Sequence, residues 1–259
     1  MKKANDFIVY ALSHAKRESV PDGAVLPIDR EKVGVEPWEY LYGTTGTPVS
    51  KGLLEERYKH FYSRKGWTRE SYDLATENWA ALHKTATDCQ GLLDSYLGTD
   101  VTANYCYTAW CTERGSVDEV ERPYEIGEAL FYMNSEGCMT QVGFVCGFLE
   151  GEPVVVDARG IRFGVVVTRF SERPWTHRGL VTKMLSYEDG KKHPEKKKTY
   201  DKDFFEKFPK AWRRNGVPSI CRNEVYKGKN EAISLGFVEK AVAIVEAWAR
   251  EHPEERSED

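Results

Sequence analysis

Apolar residues recur at helical spacing along the first 114 residues of the chain. In residues 5–18 they share one face, which predicts an amphipathic helix carrying Ile8, Ala11, Leu12 and Ala15. Similar stripes predict four further helices, over 52–63, 71–84, 89–97 and 101–114. Residues 20–52, between the first two helices, are rich in glycine and proline and predict a long loop region, which in a compact domain is usually functional.

Short β-rich runs replace this pattern after about residue 127. They predict four strands, over 129–133, 141–148, 153–158 and 164–170. Glycine and acidic residues separate the runs, as in an antiparallel meander. Helices followed by strands predict the α+β class, with N-terminal helices packed on the meander.

The chain becomes hydrophilic at about residue 186, and this change divides it into three parts. Residues 1–185 form the predicted α+β domain, and residues 186–200 form a charged linker, which is either solvated or in contact with an anionic polymer. Residues 201–259 form a predicted helical C-terminal extension, in which one helix over 230–251 carries an apolar stripe.

Composition excludes several classes of function. A formal net charge of -4 leaves no basic surface for nucleic acid, and no apolar run approaches the length of a membrane span. The apolar run Phe7–Leu12 is too short for a signal peptide, so we expect a protein made in the cytoplasm without an export signal. The six cysteines lack metal-ligand spacing, and neither a metal site, a disulfide framework nor a cofactor is expected.

Cys89 differs from the other cysteines because it opens a predicted helix directly after a loop. Asp88 or Thr87 caps that helix, and Gly98 ends it. The positive end of a helix dipole stabilises a thiolate, which is the nucleophilic form of cysteine. The position of Cys89 therefore predicts a nucleophile.

Four motifs accompany Cys89 in a fixed order, and together they resemble a known family. They are Asp88-Cys89-Gln90-Gly91-Leu92, Gly127-Glu128-Ala129-Leu130-Phe131, Gln141-Val142-Gly143 and Val156-Asp157-Ala158, preceded by Tyr42-Gly43 and followed by Arg173-Pro174-Trp175. Over roughly residues 5–185 the chain resembles the NlpC-type cell-wall peptidases, particularly a phage lysin branch. The resemblance implies a papain-like fold.

The resemblance also implies roles for individual residues. Cys89 takes the nucleophile position, Asp157 the third, orienting position, and Tyr42 lines the cleft. The general-base position falls on Gln141, where the family has histidine. An amide cannot take a proton from a thiol near neutral pH, and no histidine lies between Lys84 and Thr176.

Two further residues have both a functional and a structural interpretation. The resemblance places Asp88 beside the oxyanion site, whereas its position alone predicts a helix cap. Arg159 either binds a substrate carboxylate or pairs with Asp157 or Glu152.

The missing histidine leaves three alternatives for the chemistry. The chain is an inactive protein that keeps the fold for binding, or Cys89 is a thiolate that attacks thioesters and activated esters. In the third alternative, His177 or His83 folds into the site.

The leading prediction for function is a cysteine hydrolase of peptidoglycan stem peptides that needs no cofactor and reaches the wall by phage-type release or in a virion. Its rivals are an inactive wall-binding or virion structural protein and, third, an acyltransferase that uses thioesters.

Overall fold

A computed structural model describes residues 1–187, so the predicted linker from residue 188 onwards and the predicted extension 201–259 lie outside the described residues. The described part is a mixed helix and sheet structure, in agreement with the α+β class. Its α-helices are α1 Ala4–Ser13, α2 Lys51–Arg57, α3 Arg69–Ala75, α4 Gly91–Leu97 and α5 Ala103–Tyr105. Within residues 1–187, none of the helices has the length and apolar character that crossing a membrane requires.

Six antiparallel strands form the main sheet. They are β5 Thr112–Ser116, β6 Ala129–Met133, β7 Met139–Leu149, β8 Glu152–Gly160, β9 Gly164–Arg169 and β10 His177–Leu180, in the spatial order β5-β10-β6-β7-β8-β9. The run from β6 to β9 is the predicted meander, which is confirmed. Five short strands pair elsewhere: β1 Lys2–Lys3 with β11 Leu185–Ser186, and β2 Glu39–Tyr40 and β3 Thr47–Pro48 with β4 Thr85–Thr87.

Helices α1 and α4 cover one face of the main sheet. The predicted apolar face of α1 is fully buried, and the Phe7 ring of α1 meets the edge of Phe144 on β7 with ring centroids 4.7 Å apart. Leu92 and Leu93 place α4 in the same core. Burying such side chains contributes roughly 1.5–3 kcal/mol each, so this core fixes the start of α4 against the sheet.

The opposite face of the sheet has a smaller core formed by Leu130, Val145, Val155 and Trp175. Trp175 can lie flat on the sheet because β7 has glycine beneath it: a Cβ at Gly143 would lie 2.8 Å from the Trp175 ring. The turn after β9 is therefore held close to β7 and β8.

Two predicted helices are shorter than their apolar stripes. The helix expected over 71–84 ends at Ala75, and Asn78 and His83 in the turns that follow have positive φ angles of 63° and 51°. The helix expected over 101–114 continues from α5 as a π-helix over Cys106–Trp110 and ends there, since Thr112–Ser116 forms β5 and pairs with β10. Both predictions were wrong at their C-terminal ends because later turns and strands compete for the same residues.

Candidate functional site

The site lies where β7 and β8 separate. Their ladder runs from the hairpin as far as Phe144 opposite Val156. At the next pair of residues, Val142 and Ala158, the backbone groups bond partners outside the ladder. The Val142 N–H donates to the Cys89 sulfur. The Ala158 carbonyl accepts from Gln141 Nε2 at 3.0 Å. The start of α4 meets the sheet at this separation, so Cys89 bonds Val142 of β7 while Gln141 bonds Asp157 and Ala158 of β8.

Asp88 shapes the loop that presents Cys89. Its Oδ1 accepts from the Gly91 N–H at 2.7 Å, and its Oδ2 accepts from the Gly43 N–H at 2.9 Å. Its own N–H donates to the Thr44 carbonyl at 2.8 Å. A Cβ at Gly91 would lie 2.1 Å from that carbonyl oxygen, so only glycine fits after Gln90. With both oxygens accepting backbone N–H groups, Asp88 caps α4, as its position in the sequence indicates.

The thiol of Cys89 is buried and neutral. Burial, the largest cause, and the charge of Asp88 raise its pKa to about 12, although the Val142 and Gln90 N–H groups act in the opposite direction. The expected effect of a helix N-terminus is therefore outweighed by burial, since desolvation disfavours the charged form. The alternative of a resting thiolate was drawn from helix position alone, and the structure does not favour it.

Gln141 contacts the predicted third residue directly. Its Nε2 donates to Asp157 Oδ2 at 3.2 Å as well as to the Ala158 carbonyl. These two bonds use both amide hydrogens, which leaves the Oε1 atom only as an acceptor. Gln141 therefore orients Asp157 but cannot carry a proton.

Asp157 is fully buried, and this burial raises its pKa to about 6. Arg173, Gln141 and Arg159 act in the opposite direction. The Arg173 Nη2 atom lies 3.4 Å from Asp157 Oδ2, while Oδ1 has no hydrogen-bond partner among the described residues. Asp157 is thus the group in the site that changes charge closest to neutral pH.

This raised pKa predicts a pH-dependent stability difference between the wild type and Asp157→Asn. The folded state holds the Asp157 proton more tightly than the unfolded chain, whose carboxyl has the ordinary value of 3.8. The wild type therefore loses roughly 3 kcal/mol of unfolding free energy as pH rises from about 4 to about 6. Urea unfolding at pH 4, 5, 6 and 7 should show Asp157→Asn gaining by that amount relative to the wild type. Exposed Asp118→Asn is the control, and parallel profiles for Asp157→Asn and wild type would contradict the assignment.

The other two predicted residues, Tyr42 and Arg159, contact aromatic rings outside the group of Cys89, Gln141 and Asp157. Tyr42 is exposed and stacks on Phe61 with ring centroids 3.7 Å apart. The Arg159 guanidinium lies 4.6 Å from the centroid of the Phe163 ring and acts on Asp157 only through its charge. Glu152, the other partner considered for Arg159, pairs with Arg169 instead.

Neither candidate histidine enters the site. His83 is exposed in a turn. On β10, His177 Nδ1 lies 3.0 Å from Thr176 Oγ1, and its ring meets the edge of Tyr107. The alternative in which another histidine replaces the base is therefore not favoured by the structure.

Sequence reasoning gave little weight to two neighbours of the site. Tyr40 is close enough for the Cys89 and Asp88 charges to raise its pKa, although burial is the larger cause. Arg173 contacts Asp157 from a turn after β9. In an extended segment Tyr40 lies on the same side of the backbone as Tyr42, two residues later. This spacing is the one sequence feature that could have indicated Tyr40 as a neighbour of the site.

No group of three or more His, Cys, Asp or Glu side chains among residues 1–187 is arranged to hold a metal ion. Comparison with protein-family models, curated proteins and solved structures gives no match for the chain. Inference about function therefore starts from the geometry of Cys89, Gln141 and Asp157.

Proposed function

We propose that the chain has a papain-like architecture and binds peptidoglycan stem peptides without cleaving them. The arrangement of a cysteine at the start of α4, packed against an antiparallel meander, supports the architecture. The contact between Gln141 and Asp157 supports it further, because the resemblance to NlpC-type peptidases implies neighbouring base and orienting positions. The partner is the wall peptide, which the protein meets after phage-type release or as part of a virion.

The observation that carries the binding function is the absence of a proton acceptor matched to Cys89 within the described site. Asp157 is the group that comes closest to serving as this proton acceptor. Its pKa is about 6, whereas the pKa of the Cys89 thiol is about 12. Moving the proton from Cys89 to Asp157 therefore costs free energy. That cost precedes any attack on a carbonyl, and it makes turnover slow.

Hydrolysis is the second candidate, and one contact favours it. The Val142 N–H donates to the Cys89 sulfur, which would stabilise a thiolate once formed. In that case Cys89 attacks the peptide carbonyl, the amine leaves with a proton, and water hydrolyses the acyl-enzyme. Acyl transfer from a thioester avoids protonating an amine, but it faces the same neutral thiol.

Alkylation rates should separate these functions. A thiol with a pKa of about 12 has roughly one part in 10⁴ as thiolate at pH 8, so iodoacetamide should modify exposed Cys138 at least 100-fold faster than Cys89. Mass spectrometry of tryptic peptides from the native protein measures both rates, and Cys89→Ala verifies the peptide assignment. Faster modification of Cys89 than of Cys138, with an apparent pKa below about 8.5, would support the hydrolase.

Binding is tested with purified stem peptides. Calorimetry on the full chain measures affinity, and mass spectrometry of the same mixture after prolonged incubation detects cleavage. Binding without product supports the proposal, and absence of binding contradicts it. Product that disappears with Cys89→Ala would establish the hydrolase instead.

A further inference from the structure

A pocket opens on the sheet face opposite α1 and α4, next to Gln141. It has a volume of about 300 Å³. Its walls are the ends of β6 and β7 and the turn after β9, contributed by Tyr132, Thr140, Gln141, Arg173, Pro174 and Trp175. The described interactions assign this pocket no occupant.

Two hydrogen-bond donors in the pocket wall have no acceptor. Arg173 Nε and Trp175 Nε1 are both buried without a partner among the described residues. The ionic contact of Arg173 with Asp157, at 3.4 Å, leaves most of the guanidinium donors unused. Arg173 Nε and Trp175 Nε1 lie beneath the pocket surface, whereas 20% of the Arg173 side chain is exposed, so the donors that the wall can offer to the acceptor oxygens of a ligand are guanidinium N–H groups of Arg173.

The charge around the pocket favours an anion. Arg173 lines it, and the positive charge of Arg159, which lies outside the lining, acts on the same buried carboxylate of Asp157. A guanidinium binds a carboxylate through two parallel N–H donors, a geometry that a neutral carbonyl cannot complete.

We propose that this pocket binds the free carboxylate of an amino acid or peptide, with the Arg173 guanidinium as the donor and the Trp175 ring as part of the wall. The inference rests on the proposed peptide binding only for the source of the carboxylate. The pocket itself needs neither Cys89 nor cleavage.

The test compares N-acetyl-alanine, of either hand, with its neutral amide, N-acetyl-alaninamide. Titration of the full chain, followed through tryptophan indole N–H resonances in ¹H–¹⁵N NMR spectra, reports on Trp175 directly. Trp175→Phe assigns that resonance. We expect the carboxylate to shift it with saturation and the amide to leave it nearly unchanged.

Two single-residue variants test whether the carboxylate binds at Arg173. Arg173→Gln should weaken carboxylate binding by about tenfold or more, because a charge-assisted contact is lost. Arg169→Gln, on a neighbouring exposed arginine, is the matched control and should bind as the wild type does. Equal shifts with acid and amide, no shift with either, or unchanged binding by a folded Arg173→Gln would overturn the proposal. Carboxylate binding by a chain that fails to bind stem peptides would leave the pocket standing and reject the proposed function.

Discussion

Replacing Gln141 with histidine is expected to raise the alkylation rate of Cys89 by about 10²-fold or more. The imidazole would take the position from which Gln141 Nε2 now donates to Asp157, at 3.2 Å. One ring nitrogen would donate to Asp157, and the other would accept the Cys89 proton if the ring turned toward Val142, whose N–H bonds the thiol. A neighbouring imidazole lowers the pKa of cysteine. A positioned acid–base group typically contributes 10²- to 10⁴-fold to a reaction rate. Iodoacetamide labelling across pH 5–9 measures the change, and release of stem-peptide fragments measures turnover.

Matched variants show whether histidine itself is responsible. Gln141→Asn keeps an amide and should leave Cys89 as unreactive as in the wild type. Adding Asp157→Asn to Gln141→His should remove much of the gain, since the ring loses its orienting carboxylate. A Gln141→His protein that is folded and no more reactive than the wild type would mean that burial alone silences Cys89.

The second large effect concerns stability and a buried ionic cluster on the same sheet. Glu128 is fully buried, and its two carboxylate oxygens accept from Arg178 at 2.6 and 2.8 Å. Arg122 donates to the same oxygens at 2.8 and 2.9 Å. Glu128→Ala would leave the buried Arg178 charge without its carboxylate, so we expect a loss of about 3–5 kcal/mol in unfolding free energy. Urea unfolding at pH 7 measures it.

Two comparisons separate the lost charge from lost volume. The double variant Glu128→Leu with Arg178→Met removes the two fully buried charges and should recover part of the stability, because no buried ion is left unpaired and Arg122 keeps Glu113. Recovery stays partial because the Val120, Arg122 and Pro123 carbonyls lose their Arg178 donors. Glu55→Ala removes an exposed carboxylate that pairs with Arg69 and Lys59, and it should have little effect. A Glu128→Ala protein as stable as the Glu55→Ala protein would refute this role for the cluster.

Local patterns predicted the elements that depend on neighbours in sequence. The α1 stripe and the four meander strands were found because their periodicity follows directly from burial on one face. Strand β10 was missed, since the segment from His177 to Leu180 does not alternate and is buried around Arg178. Its partners β5 and β6 are distant in sequence, and no local pattern encodes such pairing.

The site stays a prediction, although the sequence anticipated one of its contacts better than its electrostatics. The motifs pointed to Cys89, Gln141 and Asp157, and the contact between the last two exists. The state of the thiol could not be read from a helix start, because it depends on burial beneath strands that come later in the chain. The role of Arg173 likewise requires the turn after β9 to fold onto the sheet.

The placement of β10 has a consequence for synthesis on the ribosome. Until residues 177–180 emerge, β5 and β6 have no partner on their facing edges, and Glu128 has no Arg178. Unpaired strand edges invite association between chains, so nascent chains that stop before this point are prone to aggregate. The pairing of β1 with β11 joins Lys2 to Leu185 and depends on still later residues. The six-stranded sheet is therefore completed only when residues 177–180 are available, and the separate β1–β11 pair forms later still.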